Sequence, residues 1–413
     1  MKEGIISMKL WKRNLAICWV GAFITAIGLS QIAPILPLYV NHLGVHNTNS
    51  IEQISGIAFG VTFITSAIFS PIWGKAADKY GRKPMLLRAS FGMSIVICSI
   101  GFVTNEYQLI GLRLLQGVIT GYTTACITLI ATQVDKEHAG WALGTLSTAS
   151  VSGALLGPIV GGFIDEIIGP QGVFFVTGGL MVIVFIATLI FVKEDFKRTD
   201  KKVMSTKEVW SILPDKGIFI TMFITAFVLQ LALYSIEPMI TVYIKQLSHN
   251  ASHVALISGL AFSASGLASI ISAPRLGKLS DKIGARKVIL GSLIAAGIFF
   301  IPQAFVNNPW QLMGLRFLLG LATAGLMPSV NTIVKRLSPE AVTGRIFGYS
   351  MSAQYLGTFA GAVFGGQISS HFGIRSVFFV TSALLLLNAV WVYNTVYKKL
   401  SGKYSNKYLP KCS

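Results

Sequence analysis

Charge is what this sequence has least of. Only 12% of its 413 residues are Asp, Glu, Lys or Arg, about half the roughly 25% of an average soluble domain. Acids are the scarcer sign, 16 against 34 Lys and Arg. A large soluble enzyme is thereby disfavoured, because a water-facing surface needs more charge. Cysteine is also sparse. Cys18, Cys98 and Cys126 lie in apolar runs and Cys412 in a polar tail, none with metal-ligand spacing, which excludes a disulfide scaffold and a zinc site. His42 and His46, and likewise His249 and His253, are four apart with no acid cluster beside them, so no metal is expected. No G-x-x-x-x-G-K-[ST] loop is present, so ATP is not expected to drive the protein directly. No Ser/His/Asp or haem constellation argues for an enzyme.

Apolar residues, by contrast, make up 53% of the chain. About 20 of them in a row cross a bilayer. Twelve such runs stand at roughly 14–38, 55–74, 85–104, 108–131, 142–164, 172–192, 217–243, 254–274, 287–306, 310–334, 346–370 and 374–396. The predicted fold is an all-α polytopic membrane protein with twelve transmembrane helices. With the N-terminus taken as cytoplasmic, inside segments carry 30 of the 34 basic residues. Outside loops carry two, Lys245 and Arg375, and Arg113 and Arg316 fall within spans. The positive-inside rule then puts both termini in the cytoplasm. The net charge of +18 reads as topology and not as a nucleic-acid surface. No cleavable leader is expected, because the first run continues into Pro34 and Pro37 without a small-residue cleavage site.

An internal repeat organises the chain. Gly74-Lys75-Ala76-Ala77-Asp78-Lys79-Tyr80-Gly81-Arg82-Lys83 returns as Gly277-Lys278-Leu279-Ser280-Asp281-Lys282-Ile283-Gly284-Ala285-Arg286-Lys287. Arg113-Leu114-Leu115-Gln116-Gly117 returns as Arg316-Phe317-Leu318-Leu319-Gly320. Gly144, Gly153, Gly157, Gly161 and Gly162 return as Gly348, Gly357, Gly361, Gly365 and Gly366, with Ala362 where Pro158 stands. The expected organisation is an N-terminal six-helix half (1–192), a cytoplasmic linker (193–216), a C-terminal six-helix half (217–396) and a cytoplasmic tail (397–413). Six spans per half make the two pseudo-symmetric halves parallel repeats, which puts a substrate site at their interface near mid-membrane.

These motifs resemble the major facilitator superfamily over nearly the whole chain. The span-five glycine motif resembles the twelve-span drug:proton antiporters, and the sequence looks like the multidrug, quinolone-type efflux pumps of Gram-positive bacteria. The resemblance implies that Asp78 docks near Gly344 and Arg345 as a cytoplasmic latch between the halves, with Gly74, Gly81, Arg82 and Lys83 shaping its loop. Asp281 would form the mirrored latch at span five. It ties Pro158 within the glycine motif to exporters and Arg113 to a proton-relay segment, and it has spans one, four, seven and ten line the cavity.

Glycines spaced by four put Gly153, Gly157 and Gly161 on one helix face, where another backbone can approach closely, and Pro158 bends that helix. The face reads as a bearing surface against the other half. Glu237 is the only acid placed well inside a span, followed by Pro238. Intramembrane charges are functional candidates by default. A carboxylate in an apolar cavity can alternate between holding a proton and meeting a cationic drug, so Glu237 is an expected proton-coupling residue, and Arg113, whose charge can tune the protonation of a nearby acid, is the other. Many relatives carry an acid in span one, whereas this chain has Gln31 there. A pocket that accepts varied ligands should be apolar and aromatic with few fixed polar groups. Gln31, Phe63, Tyr122, Gln230, Tyr234, Glu237, Asn331, Gln354 and Tyr355 are its expected lining.

The expected activity is export of amphiphilic, cationic or zwitterionic drugs across the cytoplasmic membrane, driven by proton antiport with alternating access. No cofactor is expected beyond the proton gradient. The expected partners are small-molecule drugs and the lipid bilayer, with no nucleic acid, and the protein is expected to be a monomer. A porter of the same fold for a defined metabolite, such as a sugar or an amine, is the alternative. A channel or membrane sensor is disfavoured by the lack of a soluble sensory domain.

Overall fold

A computed structural model describes residues 2–196, 206–248, 253–339 and 342–398. They form helices α1 (Lys2–Ser30), α2 (Ile32–His42), α3 (Thr48–Tyr80), α4 (Arg82–Ile100), α5 (Glu106–Ile119), α6 (Tyr122–Gln133), α7 (Lys136–Phe191) and α8 (Thr206–Ser211). There follow α9 (Lys216–Ile236), α10 (Ile240–Leu247), α11 (Val254–Ile283), α12 (Ala285–Gln303), α13 (Pro309–Thr323), α14 (Leu326–Leu337), α15 (Thr343–Phe372) and α16 (Ile374–Val392). No strand occurs among the described residues. Cys412 and His249 lie outside the described residues.

Among the described residues, ten stretches are long and apolar enough to cross a membrane. One of them, Trp141–Phe191, holds two expected spans, because α7 turns at Gly169 (φ 75) with Pro170 next to it. The expected span at 346–370 is not among the ten. It lies in α15, whose 30 residues include many Gly, Ser, Thr and Gln and dilute its hydropathy. Ile68, Phe91, Phe163 and Ile183 are more than half exposed on helix surfaces, as expected of side chains that face lipid.

Four expected spans are interrupted. Span one breaks between α1 and α2 at Gln31, and span four between α5 and α6 at Gly121 (φ 128). Span ten breaks between α13 and α14 at Gly325. Span seven breaks where a 3₁₀ turn, Glu237–Met239, separates α9 from α10.

The chain forms two units by packing. The first comprises Met1–Asp200 with Ile240–Ser263, the second Lys201–Met239 with Ala264–Ser413. The division therefore falls at the span-seven break and within α11, not only in the linker. In the first unit α7 packs along α1 and α4, and α3 along α5. In the second α15 packs along α9, and α12 along α16.

The repeat is visible in how close these helices come. A Cβ on Gly153 would stand 2.6 Å from the Phe23 carbonyl oxygen, and one on Gly157 2.8 Å from that of Ile27. In the second unit a Cβ on Gly361 would stand 2.5 Å from the Leu231 oxygen, and Gly357 and Gly365 press on Phe227 and Ser235. Gly117 meets Thr62 and Thr65 of α3 as Gly320 meets Ser265 and Ala268 of α11. Only glycine permits such backbone contact, which explains why both motifs recur.

Candidate coupling and substrate site

In the second unit, Gln230, Tyr234 and Glu237 stand four and then three residues apart, on one face at the end of α9. The neighbouring α15 supplies Gln354 and Tyr355. Gln230 Nε2 donates to Gln354 Oε1 at 3.4 Å, and Gln354 Nε2 reaches the Ser350 carbonyl at 3.3 Å. Glu237 interacts electrostatically with Arg316 of α13 and with Tyr234, and Tyr234 with Tyr355. Arg316 is buried, whereas Tyr234, Glu237, Gln354 and Tyr355 are partly accessible. Four other expected site residues thus lie with Glu237 on the adjoining faces of α9 and α15. Arg316, which falls within a span but is not among the expected site residues, is the buried base that acts electrostatically on this carboxylate. Its signal was visible, since it opens the repeated R-x-x-x-G motif.

Arg113 has a different environment. It is 1% exposed. Its Nε donates to the Ala58 carbonyl at 3.0 Å and a terminal nitrogen to Gln116 Oε1 at 2.6 Å, while the guanidinium lies 5.9 Å from the Phe59 ring centre. All of these partners are neutral. Within its own unit, the base that acts on Glu237 is Arg316.

Gln31 and Tyr122 are packed into the first unit. Gln31 is 1% exposed, donates to Thr177 Oγ1 and lies against Gly161. Tyr122 is 1% exposed, fills the space over Gly21 and bonds Thr188 Oγ1 at 3.0 Å. Depth along the chain suggested a lining role, but rotation about the helix axis turns both inward. Phe63 is half-buried beside Phe59, and Asn331 is half-buried on α14.

The glycine face also differs from expectation. Gly153, Gly157 and Gly161 lie against α1 and Gln31, not against the C-terminal half of the sequence. Gly162 meets Ala255, Gly259 meets the Pro158 carbonyl, and Ser263 Oγ donates to the Leu155 carbonyl at 2.6 Å, so one edge of the motif faces α11. Gly144 and Gly348 face open space.

At the α3–α4 turn, Gly81 takes φ +97, which a side chain would resist, and a Cβ there would meet Glu194 Oε2 at 3.0 Å. Glu194 caps α4. Its Oε1 accepts from the Arg82 backbone N–H at 2.9 Å, and its Oε2 from those of Arg82 and Lys83 at 2.8 and 2.7 Å. Arg82 lies 5.5 Å from the Phe196 ring centre and 3.4 Å from Asp78, whose side chain is 77% exposed. Lys83 Nζ donates to the Leu189 carbonyl at 3.0 Å. Sequence reasoning missed Glu194, which looks like one more charge in a polar linker. In the second copy Gly284 repeats the conformation (φ +93) with open space beside it, and Asp281 is exposed. Gly74 also faces open space, and Arg345 is half-buried near the start of α15.

A second missed acid is Glu52. It falls just outside the expected span at 55–74, yet it lies in the second turn of α3 and is 2% exposed. Near the middle of α1, Asn14 is fully buried and donates to Gln133 Oε1 and the Lys193 carbonyl, both at 2.7 Å, tying α1 and α6 to the end of α7.

A sequence model of the Major Facilitator Superfamily matches residues 18–260 and 222–408. The chain is 43% identical over 390 residues to the multidrug resistance protein MdtG of Salmonella arizonae, covering 94% of this chain and 96% of that one. The match to MdtG of Citrobacter koseri has the same identity and the same coverage. Among solved structures, an inward-facing, unoccupied bacterial homologue of the human lysosomal transporter Spinster superposes with a TM-score of 0.81 at 13% identity, covering 95% of this chain and 98% of that one. The nucleoside transporter NupG gives 0.75 at 12% identity, covering 94% of this chain and 98% of that one. A chain of many apolar helices, built from two copies of one motif set and matched by this family over most of its length, belongs to the major facilitator superfamily: it is a multi-pass membrane transporter and not an enzyme.

Proposed function

We propose that the protein exports amphiphilic, cationic or zwitterionic drugs across the cytoplasmic membrane by proton antiport with alternating access. The 43% identity to multidrug resistance proteins over 94% of the chain supports drug efflux. The carboxylate of Glu237, at the break of span seven, supports the coupling. Broken spans concentrate at transporter binding sites because the interrupted backbone frees polar groups for ligands.

The chemistry is an exchange at one carboxylate. Within a membrane, a carboxylate such as Glu237 carries its charge only against a counter-charge. Arg316 supplies one, and an incoming drug cation supplies another. Binding of the cation expels the proton held by the carboxylate, and reprotonation expels the drug. Tyr234, Tyr355, Gln230 and Gln354 offer ring faces and amides of little directional demand, which suits ligands of varied shape. No bound group beyond the proton is needed. Both termini face the cytoplasm in this reading, and the protein works as a monomer.

The deciding experiment is drug-induced proton release from detergent-solubilised protein, paired with proton-driven uptake into inside-out vesicles. Glu237→Gln fixes the site in its neutral form. It is expected to abolish both signals for cationic drugs and to spare binding of neutral ones. Proton release that survives in the Gln variant would move the coupling site elsewhere.

A further inference from the structure

In the first unit, a cavity of ≈ 200 Å³ opens where α2, the start of α3 and α10 meet. One side of its wall is apolar, with Leu38, Ile51 and Val242, and the other presents Asn41, His46 and Lys245. None of its lining residues is acidic. Glu52 follows Ile51 in the chain but is buried and outside the lining. The wall is built rather than incidental. Thr241 Oγ1 donates to the Pro34 carbonyl at 2.8 Å, fastening α10 to α2, and His46 Nδ1 stands 3.2 Å from Asn41 Oδ1, which orients the ring. Lys245 makes no ion pair among the described residues. It is also one of the two lysines or arginines that break the basic-residue bias of the loops, so its charge opposes the topology signal instead of serving it.

We infer that this cavity binds the anionic head of a small amphiphile, a carboxylate or phosphate ester with a short apolar tail. An ammonium group binds such a head as a point charge. The amide and imidazole stand beside it, and the tail has the apolar wall. The volume is below the roughly 300–1,000 Å³ of sites for drug-sized ligands, so the occupant is smaller than the exported drugs. A free amphiphile and a lipid headgroup share this chemistry. The site depends on neither the direction of transport nor its coupling to protons.

The test is calorimetric titration of the full-length protein, in neutral detergent, with hexyl phosphate, using hexanol as the uncharged control. Wild type and Lys245→Arg should bind hexyl phosphate with affinities within about threefold of each other. Lys245→Gln should bind at least tenfold more weakly while keeping its melting temperature, since the side chain is exposed. Val242→Phe, which fills the apolar wall, should lose binding independently. Equal affinity in the Gln variant, or hexanol binding as well as hexyl phosphate, overturns the proposal. In bilayers, suppression of the titration by phosphatidylglycerol but not phosphatidylcholine identifies a lipid headgroup as the occupant. Equal titration in both identifies a free amphiphile.

Discussion

Glu194 acts as a detachable N-terminal cap supplied by a residue more than a hundred positions away. Three backbone N–H contacts converge on one carboxylate, at the helix end that favours negative charge. A hydrogen bond to a charged group contributes about 1.5–3 kcal/mol when buried, and less here because Glu194 is partly exposed. Glu194→Ala should loosen the Gly81 turn. Trypsin cleavage after the exposed Lys79 is expected to quicken several-fold in membranes, with Glu194→Gln in between. An unchanged cleavage rate would mean that Gly81 and the Arg82–Asp78 pair order the turn alone. The sequence showed Asp78 and Gly81 because their motif repeats. It hid Glu194 because the repeat offers no acid there: 203 residues on stands Tyr397, with Arg286 over its ring at 5.2 Å.

Helices carry a different lesson. Runs of apolar residues announce a span whichever way it is rotated, so the number and order of spans were legible. Rotation was not, because a helix that is apolar all round gives no periodic signal of its inner face. Tyr122 and Gln31 went astray for that reason. The breaks at Gln31, Gly121 and Gly325 were equally hidden, since small and polar residues occur in unbroken membrane helices too. Spacing did work where it demanded glycine. Gly157→Ala puts a methyl against Ser30 and the Ile27 backbone and should cost about 1–3 kcal/mol of packing strain. Gly144→Ala meets open space and should be silent. Melting temperatures of the purified variants separate the two, and equal values would show that α1 and α7 slide apart freely.

For the whole molecule the open question is sidedness. The asymmetry of basic residues predicts that Gln246, beside the ≈ 200 Å³ cavity, faces outward and that Asp281 faces the cytoplasm. Single cysteines at these positions should react with a membrane-impermeant maleimide on intact cells at 246 and not at 281. The opposite pattern would invert every directional statement made for this transporter. The knot around Asn14 bears on something else, the order in which the protein is made. Its amide is fully buried, and one of its acceptors lies 179 residues later. At synthesis rates of roughly 5–20 residues per second, the nascent chain waits on the order of 10–35 s before Lys193 emerges. Until then the first helix holds an amide that Gln133, emerging earlier, can satisfy only in part. The same side chain that later fastens three helices thus marks a half-built chain as unfinished.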